Sequence, residues 1–210
     1  MKLFCFLEAR DAAIVSGNAG ELKTEIVRKT LHFLIALAPG MSAINKPFTM
    51  AFLMAGTLGY AFMEYLRLLG VKVPVISLLT SLASRTPEND RFEMGPVTLG
   101  LGALFALFLF PYPAAAIAIY ALAFGDGFAS LAGKFFGKTR PAFLHGKSVE
   151  GSFVCFFACF ISAYAVSGSV QIAGIAALTA MSVEALPLGD YDNLALPVTV
   201  GLAVSFLKLF

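Results

Sequence analysis

Charge is what this 210-residue chain has least of: Asp, Glu, Lys and Arg supply 13% of it, against about 25% in an ordinary soluble domain. Too little polar surface remains to cover a globule in water, which excludes a soluble enzyme, a coiled coil and a disordered chain. Cysteine is nearly as scarce. Cys5, Cys155 and Cys159 offer neither a zinc-ligand spacing nor a disulfide framework, and the last two, four apart in an apolar run, read as small packing residues. The net charge of +2 and pI near 8.4 carry no signal for nucleic acid. The stretch between Lys2 and Glu8 is too short for a cleavable signal, and no repeat or low-complexity segment occurs.

What is present is apolar. Hydrophobic types make up 59% of the chain, with 21 Phe and a mean hydropathy of +0.83. The expectation is an all-α, multi-pass integral membrane protein folded as one domain over residues 1–210, with residues 1–25 cytoplasmic or interfacial. Charge-free runs mark the spans: Thr30–Asn45, Pro47–Met63, Met94–Gly125, Gly151–Val183 and Asn193–Leu207. The third and fourth far exceed the ~20 residues one helix needs, and each carries a breaker near its middle. These breakers are Pro111-Tyr112-Pro113 and Ser167-Gly168-Ser169, so both runs read as hairpins and the total is about seven spans. Val73–Ser84 is too short to span and contains Pro74, which reads as an interfacial or re-entrant segment. With the N-terminus on one side and the spans alternating, only Lys46 and Lys208 of the 15 Lys and Arg fall on the far side. The side holding the N-terminus is therefore the cytoplasm.

Four polar constellations gather on that face. The densest is Gly125–Gly151, GDGFASLAGKFFGKTRPAFLHGKSVEG. Gly125, Gly133, Gly137 and Gly151 leave the backbone approachable, Lys134, Lys138, Arg140 and Lys147 bring positive charge, and Ser130 and Ser148 bring hydroxyls. Asp126 is a metal-binding type of residue at a helix end. A polyphosphate needs its charge met from several directions by such groups. The same block also suits a positive-inside loop with Gly133 and Gly137 as a small-residue packing pair, and no P-loop motif occurs. Upstream, Glu25-x-x-Arg28-Lys29-x-x-His32 puts Glu25, Lys29 and His32 on one helical face, either at a site or as cationic anchors beside an interfacial histidine. Glu64-x-x-Arg67 suits an i,i+3 ion pair, although Arg67 could also hold a lipid phosphate. Last come Glu184 and Asp190-Tyr-Asp192-Asn193. Asp192 and Asn193 suit a helix N-cap, and Glu184 and Asp192 are hard oxygen donors for Mg²⁺.

In order and spacing these motifs resemble the dolichol kinase, phytol kinase and CTP-dependent diacylglycerol kinase family over roughly residues 20–205. The likeness is carried by Glu25-x-x-Arg-Lys-x-x-His32, Gly125-Asp126-x-x-Ala129-Ser130, Gly133-x-x-Phe136-Gly137, Lys147-Ser148-x-Glu150-Gly151-Ser152 and Glu184…Asp192-Asn193. The resemblance implies transfer of the γ-phosphate of CTP to a membrane lipid alcohol, a prenol or diacylglycerol, with Mg²⁺. It implies catalytic roles for Asp126, Lys147, Glu150 and His32. It also implies a nucleotide site around Gly125, Ser130, Gly133, Lys134, Gly137, Lys138, Lys147, Ser148 and Gly151. Asp126, Glu184 and Asp192 would meet the metal, and Glu25, Arg28, Lys29, Arg67 and Asn193 would line the site. The implied partners are CTP, the lipid alcohol and the bilayer, and glycine-rich helices permit homo-oligomers. Two other readings stand beside this one. A phosphatidate cytidylyltransferase shares the Asp…Gly…Lys-x-x-Glu-Gly pattern, but its C-terminal signature is replaced here by Glu184-Ala-Leu-Pro-Leu-Gly-Asp-Tyr-Asp-Asn193. A small carrier would need charge at mid-membrane, and the charge here lies on one face.

Overall fold

The computed structural model describes residue 26, residues 28–71 and residues 92–207. Glu25, the N-terminal segment 1–25 and the Val73–Ser84 stretch expected at the interface lie outside the described residues. The described residues are helical with no strand among them.

Helix α1 covers residues 28–35. It tightens at its end, where the N–H groups of Ala36 and Leu37 donate to the carbonyls of Phe33 and Leu34. Pro39 follows and has no N–H with which to continue the ladder. Helix α2 (Ala38–Leu68) is interrupted by one residue of extended backbone at Asn45, φ −151° and ψ 96°. The Asn45 side chain accepts the Phe48 N–H at 3.0 Å, so it caps the segment that follows, and Pro47 sits in that segment's first turn, where no N–H is needed.

Both expected hairpins break at their predicted points. Helix α3 (Gly95–Leu109) ends before the Pro111-Tyr112-Pro113 breaker, and α4 (Ala114–Phe135) begins directly after it. Helix α5 (Val149–Ser167) stops at Gly168, whose φ of +65° is a left-handed C-cap that side chains resist. Ser169 then caps α6 (Val170–Glu184) by accepting the Ile172 N–H. Helix α7 (Asp192–Leu207) closes the described chain.

Helix α4 is the centre of the bundle and packs against α2, α3, α5, α6 and α7. Its first ten residues are nearly all Ala, Ile or Leu and almost wholly buried, and the small side chains let neighbouring backbones come close. Near its middle, Ala121–Asp126 form a π-helical stretch, a widened turn that rotates the residues beyond it. Helix α2 has the opposite polarity to a soluble surface helix. It buries Thr49, Thr57 and Glu64 against the bundle and turns Ile44, Phe48, Phe52, Leu58 and Phe62 outward. Two helices, α4 with 22 residues and α5 with 19, are long and apolar enough to cross a membrane, and α3 and α6 are shorter apolar helices.

Candidate functional site

The ends of α1, α4, α5, α6 and α7 on one side of the bundle enclose a cavity of about 610 Å³. Arg28, Lys29 and His32 come from α1, and Asp126, Ser130, Gly133 and Lys134 from α4. Lys147, Ser148 and Gly151 belong to the start of α5, and Glu184, Asp192 and Asn193 to the α6–α7 junction. Segments more than 150 residues apart in the chain thus meet around one space. The size is ordinary for a small-molecule site.

At the floor lies Asp126, 6% exposed, at the end of the π-helical stretch. Lys29 Nζ donates to its Oδ2 at 2.5 Å, and His32 Nδ1 lies 3.2 Å from the same oxygen. The helical spacing of Lys29 and His32 predicts their shared face, and the structure directs that face at Asp126. Opposite, Lys147 Nζ lies 3.3 Å from Glu184 Oε1 and 3.9 Å from Asp192 Oδ2, and it also donates to the Glu184 backbone carbonyl. A cation at the last carbonyls of α6 is favoured by the helix dipole. Glu184 is further held by Ser152, whose hydroxyl donates to Oε2 at 3.1 Å. Asp192 stands one residue ahead of the apolar stretch that begins at Asn193. Burial, followed by the negative charge of Asp126, pushes its carboxyl up to about 7.

The Lys147–Gly151 motif has local structural work as well. Ser148 is the N-cap of α5, its Oγ accepting the Gly151 N–H at 3.1 Å. Glu150, expected to be catalytic, does not line the cavity. Its carboxylate accepts the Thr139 N–H at 3.1 Å and so ties the 136–148 loop to the first turn of α5. Gly125 and Gly137, expected at the nucleotide, do not line it either. A Cβ on Gly125 would meet Cys159 Sγ at 2.4 Å, so Gly125 lets α4 and α5 pack closely, and one on Gly137 would meet the Gly133 carbonyl at 2.2 Å, so Gly137 lets the loop lie against the end of α4. Gly133 shares in that packing and also faces the cavity. Lys138 is exposed and outside the cavity.

Arg67 is also elsewhere. It forms a two-pronged ion pair, at 2.9 and 2.8 Å, with the fully buried Glu64, which accepts the Glu93 N–H in addition. The i,i+3 pair accounts for both residues. Asn193 reaches the cavity wall, but its Nδ2 donates to Thr98 Oγ1 at 3.0 Å and to the Gly95 carbonyl, tying α7 to α3. Cys155 and Cys159 are buried free thiols, as their apolar setting predicts.

Arg140 and Asp190, noted in the sequence as members of their polar blocks but given no site role of their own, and His145, singled out by nothing there, all line the cavity. Arg140 donates to the carbonyls of Gly133 at 2.7 Å and Gly146 at 2.5 Å, which clamps the end of α4 to the loop. His145 sits in the left-handed region at φ 49°, a strained conformation of the kind found at functional sites. Asp190 pairs with Arg28 at 3.2 Å across the cavity mouth. Their signal was proximity to motif residues, since Arg140 and Asp190 stand within the two polar blocks.

Among the described residues no three His, Cys, Asp or Glu side chains gather closely enough to hold a metal by themselves. Asp126, Glu184 and Asp192 therefore do not form a closed triad. They do suit Mg²⁺ in another way, because that ion takes one or two carboxylates and fills its remaining positions with water and substrate phosphates. Lysines now neutralise these acids. A polyphosphate with its cation could draw Lys29 and Lys147 onto phosphate oxygens while the metal takes over the carboxylates. Comparison with protein-family models, with curated proteins and with solved structures gives no match to this chain.

Proposed function

We propose that the protein is a multi-pass membrane enzyme that transfers the γ-phosphate of CTP to a lipid alcohol at its cytoplasmic face. The observation that carries this reading is the cavity in which lysines, carboxylates and a glycine-lined helix end converge from three of the four polar constellations. A soluble phosphorylated substrate needs that mixture of charge and close backbone approach. The choice of CTP, and of an alcohol as acceptor, rests on the family resemblance of those motifs.

The outward faces support the membrane setting. Phe48, Phe52, Phe62, Phe153, Phe157 and Ile161 are all more than half exposed, an apolar exterior that water does not tolerate over such an area. In this reading α1 with the part of α2 before Asn45 makes one span, the part of α2 after Asn45 a second, and helices α3 to α7 the other five of seven. Helices α3, α6 and α7, at 15 to 16 residues, are shorter than the ~20 of a full span. Their short ends sink the cavity into the headgroup layer, where a lipid hydroxyl can reach it.

Within the cavity, Lys147, Lys134 and Lys29 meet the phosphate charge, and Ser130 and the Gly133 backbone lie against the nucleotide. One or two of the carboxylates Asp126, Glu184 and Asp192 would hold Mg²⁺ with the phosphates, and the ion when bound would supply charge neutralisation on the transferring group. Asp126 keeps Lys29 directed at that point until substrate arrives.

The test is a paired labelling assay in detergent micelles with Mg²⁺ and either γ- or α-labelled CTP, offered polyprenol, phytol, diacylglycerol and phosphatidate. Label from the γ position in a lipid alcohol is the expected result. Label from the α position with phosphatidate makes the protein a CDP-lipid synthase, and folded protein that labels no lipid returns the carrier reading.

A further inference from the structure

Two members of the Gly125–Gly151 block have no part in the cavity. Phe136 is 70% exposed and Lys138 is exposed as well, and neither lines it. The second half of α4 shows what surrounds them. Gly127, Ala129 and Ala132 are buried there, whereas Phe128 and Phe135, two turns apart on one face, are 44% and 52% exposed. The apolar exterior thus continues to the last residue of the helix, and the loop begins where it ends. Phe136 extends it by one more ring, with its centroid 6.1 Å from that of Phe135.

Charge changes abruptly at the same level. From Gly127 to Val149 the chain carries Lys134, Lys138, Arg140 and Lys147 and no carboxylate. Lys147 is matched by Glu184 and Asp192. Among the described residues, neither Lys138 nor Arg140 has a carboxylate at ion-pair distance. Arg140 donates to two backbone carbonyls, which leaves its charge uncompensated. The loop also holds its shape. The Val149 N–H donates to the Thr139 carbonyl at 3.0 Å and closes it, and Leu144 is buried beneath.

We infer that residues 135–140 form a docking surface for anionic phospholipid, with Phe135 and Phe136 at the acyl boundary and Lys138 and Arg140 against the headgroup phosphates. Exposed rings at the end of an apolar helix, followed at once by unmatched cations, suit the layer where acyl chains give way to negative charge. The inference rests on the membrane setting proposed above and not on the reaction. Arg140 also lines the cavity, so lipid held there sets the cavity mouth at headgroup depth.

The chain has no tryptophan, so Phe136→Trp supplies a lone indole. The full chain with this substitution is placed in phosphatidylcholine nanodiscs. The minority lipid, either phosphatidylglycerol or further phosphatidylcholine, has dibrominated chains that quench indole on contact. Phe108→Trp is the reference, 71% exposed and about 20 Å along α3 from the end beside Arg28 and Asp190. It should be quenched equally by both lipids. Phe136→Trp should be quenched at least about twofold more by the phosphatidylglycerol, and this preference should disappear in Lys138→Glu and at ~1 M salt. Quenching without preference, or a preference that survives Lys138→Glu or salt, overturns the anionic surface. So does quenching of Phe108→Trp alone: red emission from Phe136→Trp then puts the loop in water, and blue emission puts it under a second copy of the chain. If neither probe is quenched, the membrane setting itself fails, and the docking surface with it.

Discussion

At the scale of single residues, the buried acids of the cavity stand against cations, Asp126 against Lys29, and Glu184 and Asp192 against Lys147. Breaking one such pair leaves its other half uncompensated, at a cost of about 3–5 kcal/mol. Asp126→Asn should therefore abolish transfer and also lower the melting temperature, because Lys29 loses its 2.5 Å partner. Adding Lys29→Met should recover stability without activity, and a Tm series in micelles with the labelling assay checks both. Activity in Asp126→Asn would remove Asp126 from the mechanism. Asp192 makes a pH prediction. Its carboxyl is neutral below about 7, and a neutral carboxyl is a poor ligand, so Mg²⁺ should bind more tightly as pH rises through that value. In Asp192→Asn, titrated by calorimetry, this dependence should flatten. The sign for stability is opposite. A carboxyl whose value is raised on folding favours the folded state at low pH, and that contribution is lost as pH climbs towards 7 in metal-free protein.

At the scale of elements, several motif residues do helix work. Ser148 is the clearest case, because its hydroxyl faces the cavity and also caps α5. Ser148→Ala should cost about 1 kcal/mol through the lost cap, with CTP affinity changed less than about threefold. An unchanged Tm with a tenfold weaker Kd for CTP would instead make Ser148 a ligand. Glu150 is another: Glu150→Gln keeps an acceptor for the Thr139 N–H and should keep most activity, whereas Glu150→Ala loosens the 136–148 loop and should raise the KM for CTP. The helix breaks were legible because each has a local cause in Asn45, Pro111 to Pro113, or Gly168. The π-helical stretch was not. Nothing in Ala121–Asp126 marks a widened turn, which depends on what packs around it, including the Cys159 thiol near the Ala121 carbonyl.

At the scale of the whole molecule, an apolar exterior surrounds one polar chamber at one end. The sorting of charge predicts a topology that cysteine labelling can check. In a version lacking native cysteines, a cysteine at Lys138 should react with an impermeant maleimide only when the cytoplasmic side is open, and one at Lys46 only from the other side. Labelling of both from the same side would break the alternation of spans.

Composition and order along the chain determined the all-helical class, the helix breaks and which blocks carry the polar residues, because those follow from local propensity and from how little charge the chain has. They did not determine which members of a block face one another. Glu150 and Lys147 are three residues apart, yet one secures a loop and the other reaches Glu184. Arg67 and Arg28 looked alike in sequence, and only Arg28 reaches the cavity. The direction of a side chain depends on how each helix is rotated against its neighbours, and that rotation is settled by packing around α4. The pairing of Lys29 and His32 with Asp126, about a hundred residues away in the chain, could be decided only there.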